Sequence, residues 1–394
     1  MKILVAAVSY SSHISGVQRH ALNMVRCLLL NTAVTTVHLV LGPWQRAIFE
    51  ASGLAPNARL TIHYPEMQRG SIARNLWYYH QLPKLVALLQ PDVLHLSYPM
   101  PINAGAIDCS TVLTLHDLYP YEIPRNFGFY QFLFNRLILR SCMRSVDAIA
   151  CVSDATVARL KQYASSATYR KATRIYNCVE PEPVSAANSP LPGWHGEPFL
   201  LTVAQHRCNK NIPLLLSALH RLLRAREIPS STKLVVVGIK GPETRTINSL
   251  VDRYGLTHSV LFLEGLSQAQ LQWCYLHSEA VVLPSVTEGF GLPAAEALLT
   301  GCRVLCSDIP AFREIGGGHC EFVALGTDAE SSLATAIKTT LNQPVRAPIP
   351  FPHLSANVLA QEYAALYRGL IAANGKSPAH SVSTQLEIAE RQPR

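Results

Sequence analysis

Several signatures of common protein classes are missing from this sequence of 394 residues. No apolar run approaches the ~20 residues that a membrane-spanning helix needs. The ten cysteines form no CxxC pair and show no metal-ligand spacing, which predicts reduced thiols in a cytosolic protein rather than a disulfide framework or a zinc site. No GxGxxG motif is present, which argues against a nicotinamide dehydrogenase. Charged residues are few, at 15%, while 48% of the residues are hydrophobic, so the chain can build substantial cores.

Acidic residues are scarce in the first half of the chain. Residues 1–180 contain 17 lysines and arginines against 9 aspartates and glutamates, whereas residues 181–394 contain 17 of each. The N-terminal half therefore carries the whole net charge of +8. This excess is either a solubilising surface or a face turned toward an anionic partner such as a membrane.

The secondary-structure pattern is that of parallel α/β sheets, because short apolar runs alternate with amphipathic stretches. The first run, Met1–Val8, is too short for a signal peptide and lacks a cleavage site, so it predicts a buried first strand. The predicted strands are Ile3–Val8, Val37–Leu41, Val93–Leu96, Thr111–Leu115, Ala148–Val152, Phe199–Val203, Lys233–Val237, Val260–Leu263, Ala280–Leu283 and Arg303–Ser307. The predicted helices include Val17–Leu30, Tyr130–Arg144 and Asp154–Tyr163, the last capped by Ser153.

A proline-rich break at residues 181–197 separates two similar series of strands and helices. It predicts an N-terminal domain of residues 1–180 and a C-terminal domain of residues 198–354, joined by that linker. A last helix is predicted at residues 355–373. Residues 374–394 are polar and without periodicity, and are predicted to be disordered.

The strongest motif follows the predicted strand Ala280–Leu283 and reads EGFGLPAAE at residues 288–296. Glycines at a strand-to-helix turn let backbone N–H groups approach a ligand, and a helix N-terminus favours negative charge. The motif therefore predicts a diphosphate site, with Glu288 at the strand end facing a sugar. Glu296, about two turns further along, would accept hydrogen bonds from a ribose diol. The alternative is an ordinary turn and helix with two surface glutamates.

This motif resembles the E-x7-E signature of glycosyltransferase family 4, and residues 301–310 with Glu314 continue that family's pattern. The resemblance implies a GT-B fold, in which two Rossmann-like β/α/β domains face each other across a cleft. The N-terminal domain would bind the acceptor and the C-terminal domain the nucleotide-sugar donor, and the last helix, residues 355–373, would return to the first domain. It implies that Glu296 binds the ribose and that Glu288 contacts the donor sugar. It also places four backbone amides near the sugar and phosphates, those of Gly289, Phe290, Gly291 and Leu292. Retaining transfer is implied as well, and the lack of an Asp-x-Asp motif near these segments suits transfer without a metal or cofactor.

A second candidate site is the loop after the predicted strand Phe199–Val203. Cations there would neutralise a leaving diphosphate without a metal. The family usually has a Gly-Arg pair at this point and a lysine five residues beyond the arginine. Lys210 matches that lysine, whereas Gln205 occupies the place of the arginine. Arg207 is the predicted substitute and His206 the alternative; surface charges without a role are the other interpretation.

The third candidate is His116 with Asp117, at the end of the predicted strand Thr111–Leu115. Ligands of open α/β sheets bind at that end of the strands. His116 resembles the family's active-site histidine, which reaches the transferred sugar, and Asp117 would orient the loop or the imidazole. The alternative is that both are ordinary loop residues whose side chains only make hydrogen bonds within the protein.

Two further segments match the family less closely. Gly16 follows the first strand, where a glycine lets the chain turn tightly and brings helix N–H groups toward a phosphate or acceptor. Ser15 occupies the place of a second glycine there. Residues 176–179 resemble the family's Asn-Gly hinge between domains, with Cys178 in place of the glycine.

Arginines recur every four residues on the predicted helix Tyr130–Arg144, at positions 136, 140 and 144, and aromatic residues lie just upstream. Such a helix either packs its aromatic side chains inward with the arginines solvated, or rests on anionic lipid. With the charge excess of the N-terminal half, the second interpretation makes a membrane-bound acceptor plausible.

We therefore predict a glycosyltransferase that moves a hexosyl group, for example mannosyl or glucosyl, from a UDP- or GDP-sugar to a glycan or lipid-linked glycan in polysaccharide biosynthesis. It would be cytoplasmic, either free or peripheral on the inner face of the cell membrane. One alternative is a GT-B nucleotide-sugar epimerase or hydrolase. Another is a catalytically weak nucleotide-sugar-binding protein, which the departures at Ser15, Cys178 and Gln205 permit. No nucleic-acid-binding module is recognisable, so nucleic acid is not an expected partner.

Overall fold

The computed structural model describes residues 1–9, 15–50, 54, 56–180, 189–344 and 347–374. Most of the predicted linker, residues 181–188, therefore lies outside the described residues. So does the predicted disordered tail beyond Asn374.

A seven-stranded parallel sheet forms the N-terminal half. Its strands are β1 (Lys2–Ala6), β2 (Thr36–Val40), β3 (Leu60–His63), β4 (Val93–Leu96), β5 (Ser110–Leu115), β6 (Ala148–Cys151) and β7 (Ala172–Arg174). Its helices are α1 (Gly16–Leu30), α2 (Arg46–Glu50), α3 (Ser71–His80), α4 (Leu82–Leu89), α5 (Tyr119–Glu122), α6 (Phe129–Ser145), α7 (Asp154–Tyr163) and α8 (Ser166–Tyr169). The strand order is β3-β2-β1-β4-β5-β6-β7, the doubly wound arrangement that reverses direction between β1 and β4.

A six-stranded parallel sheet forms the C-terminal half, in the order β10-β9-β8-β11-β12-β13. Its strands are β8 (Phe199–Val203), β9 (Lys233–Val237), β10 (Val260–Leu263), β11 (Ala280–Leu283), β12 (Val304–Ser307) and β13 (Glu321–Val323). The helices that follow are α9 (Ile212–Arg224), α10 (Thr244–Arg253), α11 (Gln268–His277), α12 (Leu292–Leu299), α13 (Pro310–Gly316), α14 (Ala329–Leu341) and α15 (Ala356–Ala373). The order again reverses once, between β8 and β11.

Both faces of the N-terminal sheet are covered, as the continuous apolar strands require. Side chains alternate along β1, so Ile3 and Val5 enter one core while Leu4 and Ala6 enter another. The first core contains α1 and also α15, the last described helix of the chain, whose Tyr363 and Tyr367 are fully buried. The second core contains the inner faces of α3, α4 and α6.

All ten predicted strands are present, with ends displaced by at most two residues. The three strands that the sequence pattern missed, β3, β7 and β13, lie at sheet edges and are only partly buried. An edge strand needs no continuous apolar run, which explains why they were missed. The predicted cap of α7 is confirmed, since Ser153 Oγ accepts a hydrogen bond from the backbone N–H of Thr156 at 3.0 Å. The inward packing of aromatic residues on α6 is wrong for Tyr130 and Phe134, which are 88% and 52% exposed.

Candidate active site

Lys210 and Glu288 meet where the C-terminal sheet reverses its winding, in the loops after β8 and β11. Lys210 Nζ lies 2.5 Å from Glu288 Oε1, which also accepts from Ser285 Oγ at 2.7 Å. Tyr119, from the N-terminal half, donates its hydroxyl to Glu288 Oε2 at 3.2 Å. Glu288 is only 7% exposed, and a carboxylate so buried is tolerated because a cation and two hydroxyls compensate it.

The turn that carries Lys210 is held in place by the N-terminal half. Asn126 accepts from the backbone N–H of Cys208 at 2.9 Å through Oδ1, and its Nδ2 donates to Asn209 Oδ1 at 2.9 Å. Asn211 then takes a left-handed conformation with φ of 52° and leads into α9. Asparagine tolerates this conformation better than most residues, so Lys210 is fixed at the end of a short, well-anchored turn.

The glycine-containing motif forms the predicted strand-to-helix turn. Gly291 has a φ of +93° and precedes α12, which begins at Leu292. A side chain at position 291 would also come within 2.9 Å of the Phe312 ring, so both the backbone angle and the packing require glycine. Phe290, in contrast, is buried in the core of the C-terminal half. Only its backbone is therefore available to a ligand.

Glu296 lies on the second turn of α12 and is engaged from both halves of the protein. Its Oε1 is 2.9 Å from Arg19 Nη1 on α1, and its Oε2 accepts from the Tyr275 hydroxyl at 2.9 Å. The side chains of Arg19 and Glu296 are 23% and 15% exposed. The ion pair therefore closes the space between α1 and α12 in this conformation.

The backbone of the turn at residues 288–289 packs directly on the N-terminal half. A methyl group on Gly289 would overlap the carbonyl oxygen of His116. The Gly289 carbonyl accepts hydrogen bonds from Ser153 Oγ and, at 3.0 Å, from Thr156 Oγ1, while the Glu288 carbonyl accepts from Arg159 Nη1 at 2.7 Å. These hydrogen bonds use the carbonyl oxygens of Glu288 and Gly289, and they fix the direction of the turn.

Glu314, the last residue of the motif pattern, also joins the halves. Its carboxylate accepts from the backbone N–H groups of Asp154 and Ala155, at 2.8 and 2.9 Å. These are the first residues of α7, where a negative charge is favourable to the helix dipole. Glu314 is thus an interface residue in this structure.

A cavity of about 180 Å³ adjoins this junction in the N-terminal half. Its lining includes three predicted site residues, His116, Asp117 and Arg207, together with Tyr119. Lys210, Glu288 and Glu296 are outside its lining, but the Tyr119 hydroxyl connects it to Glu288. The structure therefore brings Arg207 from the C-terminal half to the histidine and aspartate of the N-terminal half.

Burial shifts His116 and Asp117 of this cavity toward their neutral forms. Desolvation lowers the pKa of His116 to about 4, and its Nε2 donates to the carbonyl of Ser97 at 2.9 Å. Because Nε2 carries the proton, Nδ1 is left as an acceptor in the neutral ring. Desolvation raises the pKa of Asp117 to about 6, opposed by its hydrogen bond from the Tyr119 N–H at 3.1 Å.

A buried hydrogen-bond network supports His116 from behind. His20 packs edge-on against His116 with ring centroids 4.7 Å apart, and its ring nitrogens lie 2.6 Å from Asn177 Oδ1 and 3.3 Å from Thr114 Oγ1. His95 continues the network, 2.7 Å from Thr114 Oγ1 and 2.6 Å from the Tyr367 hydroxyl. The candidate site is thereby connected to the predicted hinge segment and to α15.

The two residues before Arg207 differ in their surroundings. His206 is 2% exposed, lies 3.0 Å from Thr244 Oγ1 through Nδ1 and packs on the Phe262 ring. Gln205 contributes its carbonyl, which accepts from the Arg207 N–H at 2.7 Å. Of the two substitutes considered for the missing arginine, only Arg207 reaches the cavity.

Gly16 and Ser15 begin α1. Ser15 caps the helix, since its N–H donates to Gln18 Oε1 at 2.8 Å and its Oγ accepts from the Gln18 N–H at 3.4 Å, which explains a serine in place of glycine. Gly16 is exposed, and a side chain there would meet no described atom within 4 Å. The tight turn predicted before it falls on residues 10–14, outside the described residues.

Several residues of the site escaped the sequence analysis. Arg19 lies only three positions after Gly16, but nothing in the sequence indicates its partner 277 residues away. The others are Tyr119, Asn126, Ser285 and Tyr275. An aromatic or amide residue beside a motif is too common a feature to indicate such a role.

Two searches of the described residues complete the description. No helix among them is both long and apolar enough to cross a bilayer. Within the same parts of the chain, no group of three or more His, Cys, Asp or Glu side chains is placed to bind a metal ion.

Comparison with solved structures defines the class of the protein. Sucrose-phosphate synthase from Thermosynechococcus elongatus matches with a TM-score of 0.71 and 19% identity, over 94% of this chain and 99% of that chain. Anabaena HepE, solved with UDP and glucose, matches with a TM-score of 0.60 and 16% identity, over 95% of this chain and 98% of that chain. Two doubly wound domains in this arrangement define the GT-B fold of glycosyltransferases.

Sequence comparison then gives the family. The model described as Glycosyltransferase Family 4 matches residues 14–183, and the model described as Glycosyl transferases group 1 matches residues 190–347. The chain belongs to glycosyltransferase family 4. It is similar to the O-antigen chain mannosyltransferase RfbU of Salmonella typhimurium, with 27% identity over 230 residues that cover 57% of this chain. The match spans 59% of the length of that relative.

Proposed function

We propose that this chain is a retaining hexosyltransferase that moves a mannosyl group from a nucleotide sugar to a glycan or lipid-linked glycan in polysaccharide biosynthesis. The likeness to RfbU supports the mannosyl group and the polysaccharide, and the complex of HepE with UDP and glucose supports a nucleotide-sugar donor. The observation that carries the proposal is the meeting of Lys210 with Glu288 at 2.5 Å, at the reversal point of the C-terminal sheet and beside the N-terminal half.

The donor would occupy the edge of the C-terminal sheet. Glu296 would accept hydrogen bonds from the ribose, the amides of residues 289–292 would face the sugar and diphosphate, and Glu288 would contact the sugar. Lys210 would neutralise charge as the diphosphate leaves, helped by the N-terminus of α12. A second cation is available in Arg19 or Arg207, which supply the positive charge that Gln205 lacks.

The acceptor would enter from the N-terminal half through the cavity lined by His116, Asp117 and Arg207. Because His116 is neutral, it acts as a hydrogen-bonding group toward the sugar rather than as a cation, with Nδ1 accepting. For retention, the acceptor oxygen bonds to the anomeric carbon on the face that the leaving group vacates. The bond from that carbon to the diphosphate oxygen breaks, and the diphosphate oxygen takes the acceptor proton.

Donor binding requires a change from the conformation described. The ion pairs of Glu288 with Lys210 and of Glu296 with Arg19 occupy the carboxylates that the donor would use. We therefore expect the two halves to move apart, exchanging these pairs for contacts with the donor.

A thermal-shift screen against UDP, GDP, ADP and their sugars tests the donor site. Stabilisation by one nucleotide diphosphate and its sugar, without effect from the others, is the expected result; no stabilisation by any of them would remove the donor assignment.

Product analysis then separates the alternatives. An extended glycan supports the transferase, an epimerised or hydrolysed donor supports the epimerase or hydrolase, and binding without turnover supports the weak binding protein. Retained activity in a chelator would support transfer without a metal, and cell fractionation would test the cytoplasmic location.

A further inference from the structure

Helices α3, α4 and α6 pack against the same face of the N-terminal sheet, and each of them exposes at least one large apolar side chain. Their inner residues pack together against the sheet, among them Trp77, Leu82 and Leu139. Eight of the fourteen large apolar side chains exposed in the described parts of the chain lie on these three helices: Ile72, Leu76, Tyr79, Leu88, Tyr130, Leu133, Phe134 and Leu137. We call these eight residues the outer apolar face. Exposed patches of this kind mark interaction surfaces.

The spacing of these residues makes continuous stripes. On α6, the residues at 130, 133, 134 and 137 follow the i, i+3, i+4, i+7 pattern of one helix face, and are 88%, 45%, 52% and 61% exposed. On α3, the residues at 72, 76 and 79 are 76%, 54% and 43% exposed. A surface helix ordinarily turns such a stripe inward. These two helices also have an apolar stripe directed outward, which exposes large apolar side chains to solvent.

The charged side chains of these three helices are all of one sign. The three helices contain five basic residues and no aspartate or glutamate: Arg74, Lys84, Arg136, Arg140 and Arg144. All of these except Arg74 are exposed. A second copy of the chain docking here would bring like charges together. An anionic bilayer, which offers apolar chains beneath negative headgroups, complements both features.

The same layer borders the candidate acceptor cavity. Arg74 and Asn75 of α3 line the cavity beside His116, and so do Asn135 and Ile138 of α6. The two helices that carry the apolar stripes are therefore also walls of the cavity.

We propose that the outer apolar face rests on an anionic phospholipid bilayer, with α3 and α6 lying among the headgroups and the cavity beside His116 directed toward them. An acceptor carried by a membrane lipid would then reach His116 without leaving the bilayer. That consequence rests on the proposed function, whereas binding to the bilayer does not.

Flotation of the full chain with vesicles tests the proposal. We expect binding to phosphatidylcholine vesicles that contain phosphatidylglycerol, and at least about tenfold weaker binding to pure phosphatidylcholine. Combining Leu133→Ser, Phe134→Ser and Leu137→Ser should weaken binding about tenfold or more. Replacing the arginines at 136, 140 and 144 by glutamine should remove most of the salt dependence of vesicle binding. Leu30→Ser and Leu276→Ser, at residues 53% and 46% exposed elsewhere on the surface, should bind as the wild type does.

Three results would overturn the proposal: no flotation of the wild type, unchanged flotation of the α6 variant, or a dimer in solution that the same three substitutions dissociate. Circular dichroism and thermal unfolding check that each variant is folded. The nucleotide thermal shift, measured on the same variants, should be unchanged. A variant that no longer binds vesicles but is still stabilised by the nucleotide would show that this surface and the donor site are separate.

Discussion

The backbone of Gly289 lies directly against the carbonyl oxygen of His116, with no room for a side chain between them. The two halves of the protein therefore touch main chain to main chain at the candidate site. The turn whose amides would face the donor is also the turn against which the N-terminal half packs. Its geometry consequently depends on how closely the two halves approach.

Gly289→Ala is expected to lower both thermal stability and activity, because the added methyl group overlaps an atom of the opposite backbone. Overpacking of this kind costs about 1–3 kcal/mol, which thermal unfolding would resolve. Gly369→Ala is the control, since a side chain at 369 in α15 meets no described atom within 4 Å, and alanine favours a helix over glycine. An unchanged melting temperature for Gly289→Ala would show that the halves do not pack this way in solution.

Lys210→Ala should destabilise the protein by roughly 3 kcal/mol, because it leaves the carboxylate of Glu288 buried without a cation. Turnover should fall by about 10²–10³-fold with the loss of a charge that stabilises the leaving group. Adding Glu288→Gln should restore stability but not turnover. The exposed pair of Arg313 with Asp308 supplies the control, since Arg313→Ala should leave the melting temperature nearly unchanged. Full activity of Lys210→Ala would exclude the proposed role.

Glu296→Ala should weaken nucleotide affinity by about tenfold or more, because hydrogen bonds to a charged group are worth roughly 1.5–3 kcal/mol each. Its unfolding free energy should change much less, since the pair with Arg19 is partly exposed. Tyr275→Phe is the matched variant: it removes one hydrogen bond that orients the carboxylate and keeps the carboxylate itself. Its effect on affinity should be smaller. Isothermal titration with the nucleotide found in the thermal-shift screen would measure both, and equal binding by Glu296→Ala would remove it from the ribose role.

Stability should fall steeply as the solution is acidified below about pH 6.5. Burial lowers the pKa of His116 to about 4, that of His95 to about 3, and that of His20 well below its usual value. The unfolded chain binds these three protons first, whereas Asp117, whose pKa burial raises to about 6, binds its proton first in the folded state and offsets about one of them. The free energy of unfolding therefore decreases with falling pH by up to about 3 kcal/mol per unit. Urea unfolding between pH 7.5 and 5 measures the slope.

His116→Asn should reduce that slope by about half, since it removes one of the roughly two protons taken up net on unfolding. Stability that stays level from pH 7 to 5 would contradict the neutral, buried state of the three histidines.

Much of the site could be anticipated because its residues stand at fixed offsets within single loops. Glu288 and Glu296 belong to one strand-to-helix turn, and Lys210 follows one strand by a set number of residues. Their mutual placement depends only on which strands neighbour each other. Assigning Arg207 over His206 needed the structure, because adjacent residues in a loop point in different directions that the sequence does not encode.

By itself, the sequence determined the class of fold, ten of the thirteen described strands and the motif residues, since apolar periodicity and glycine turns are local consequences of residue type. The tertiary structure decided what those residues contact. Packing between elements distant along the chain places Arg19 beside Glu296 and the backbone of Gly289 against that of His116. It also directs the apolar stripes on α3 and α6 outward. Such contacts form only once both sheets are complete, so no local pattern records them.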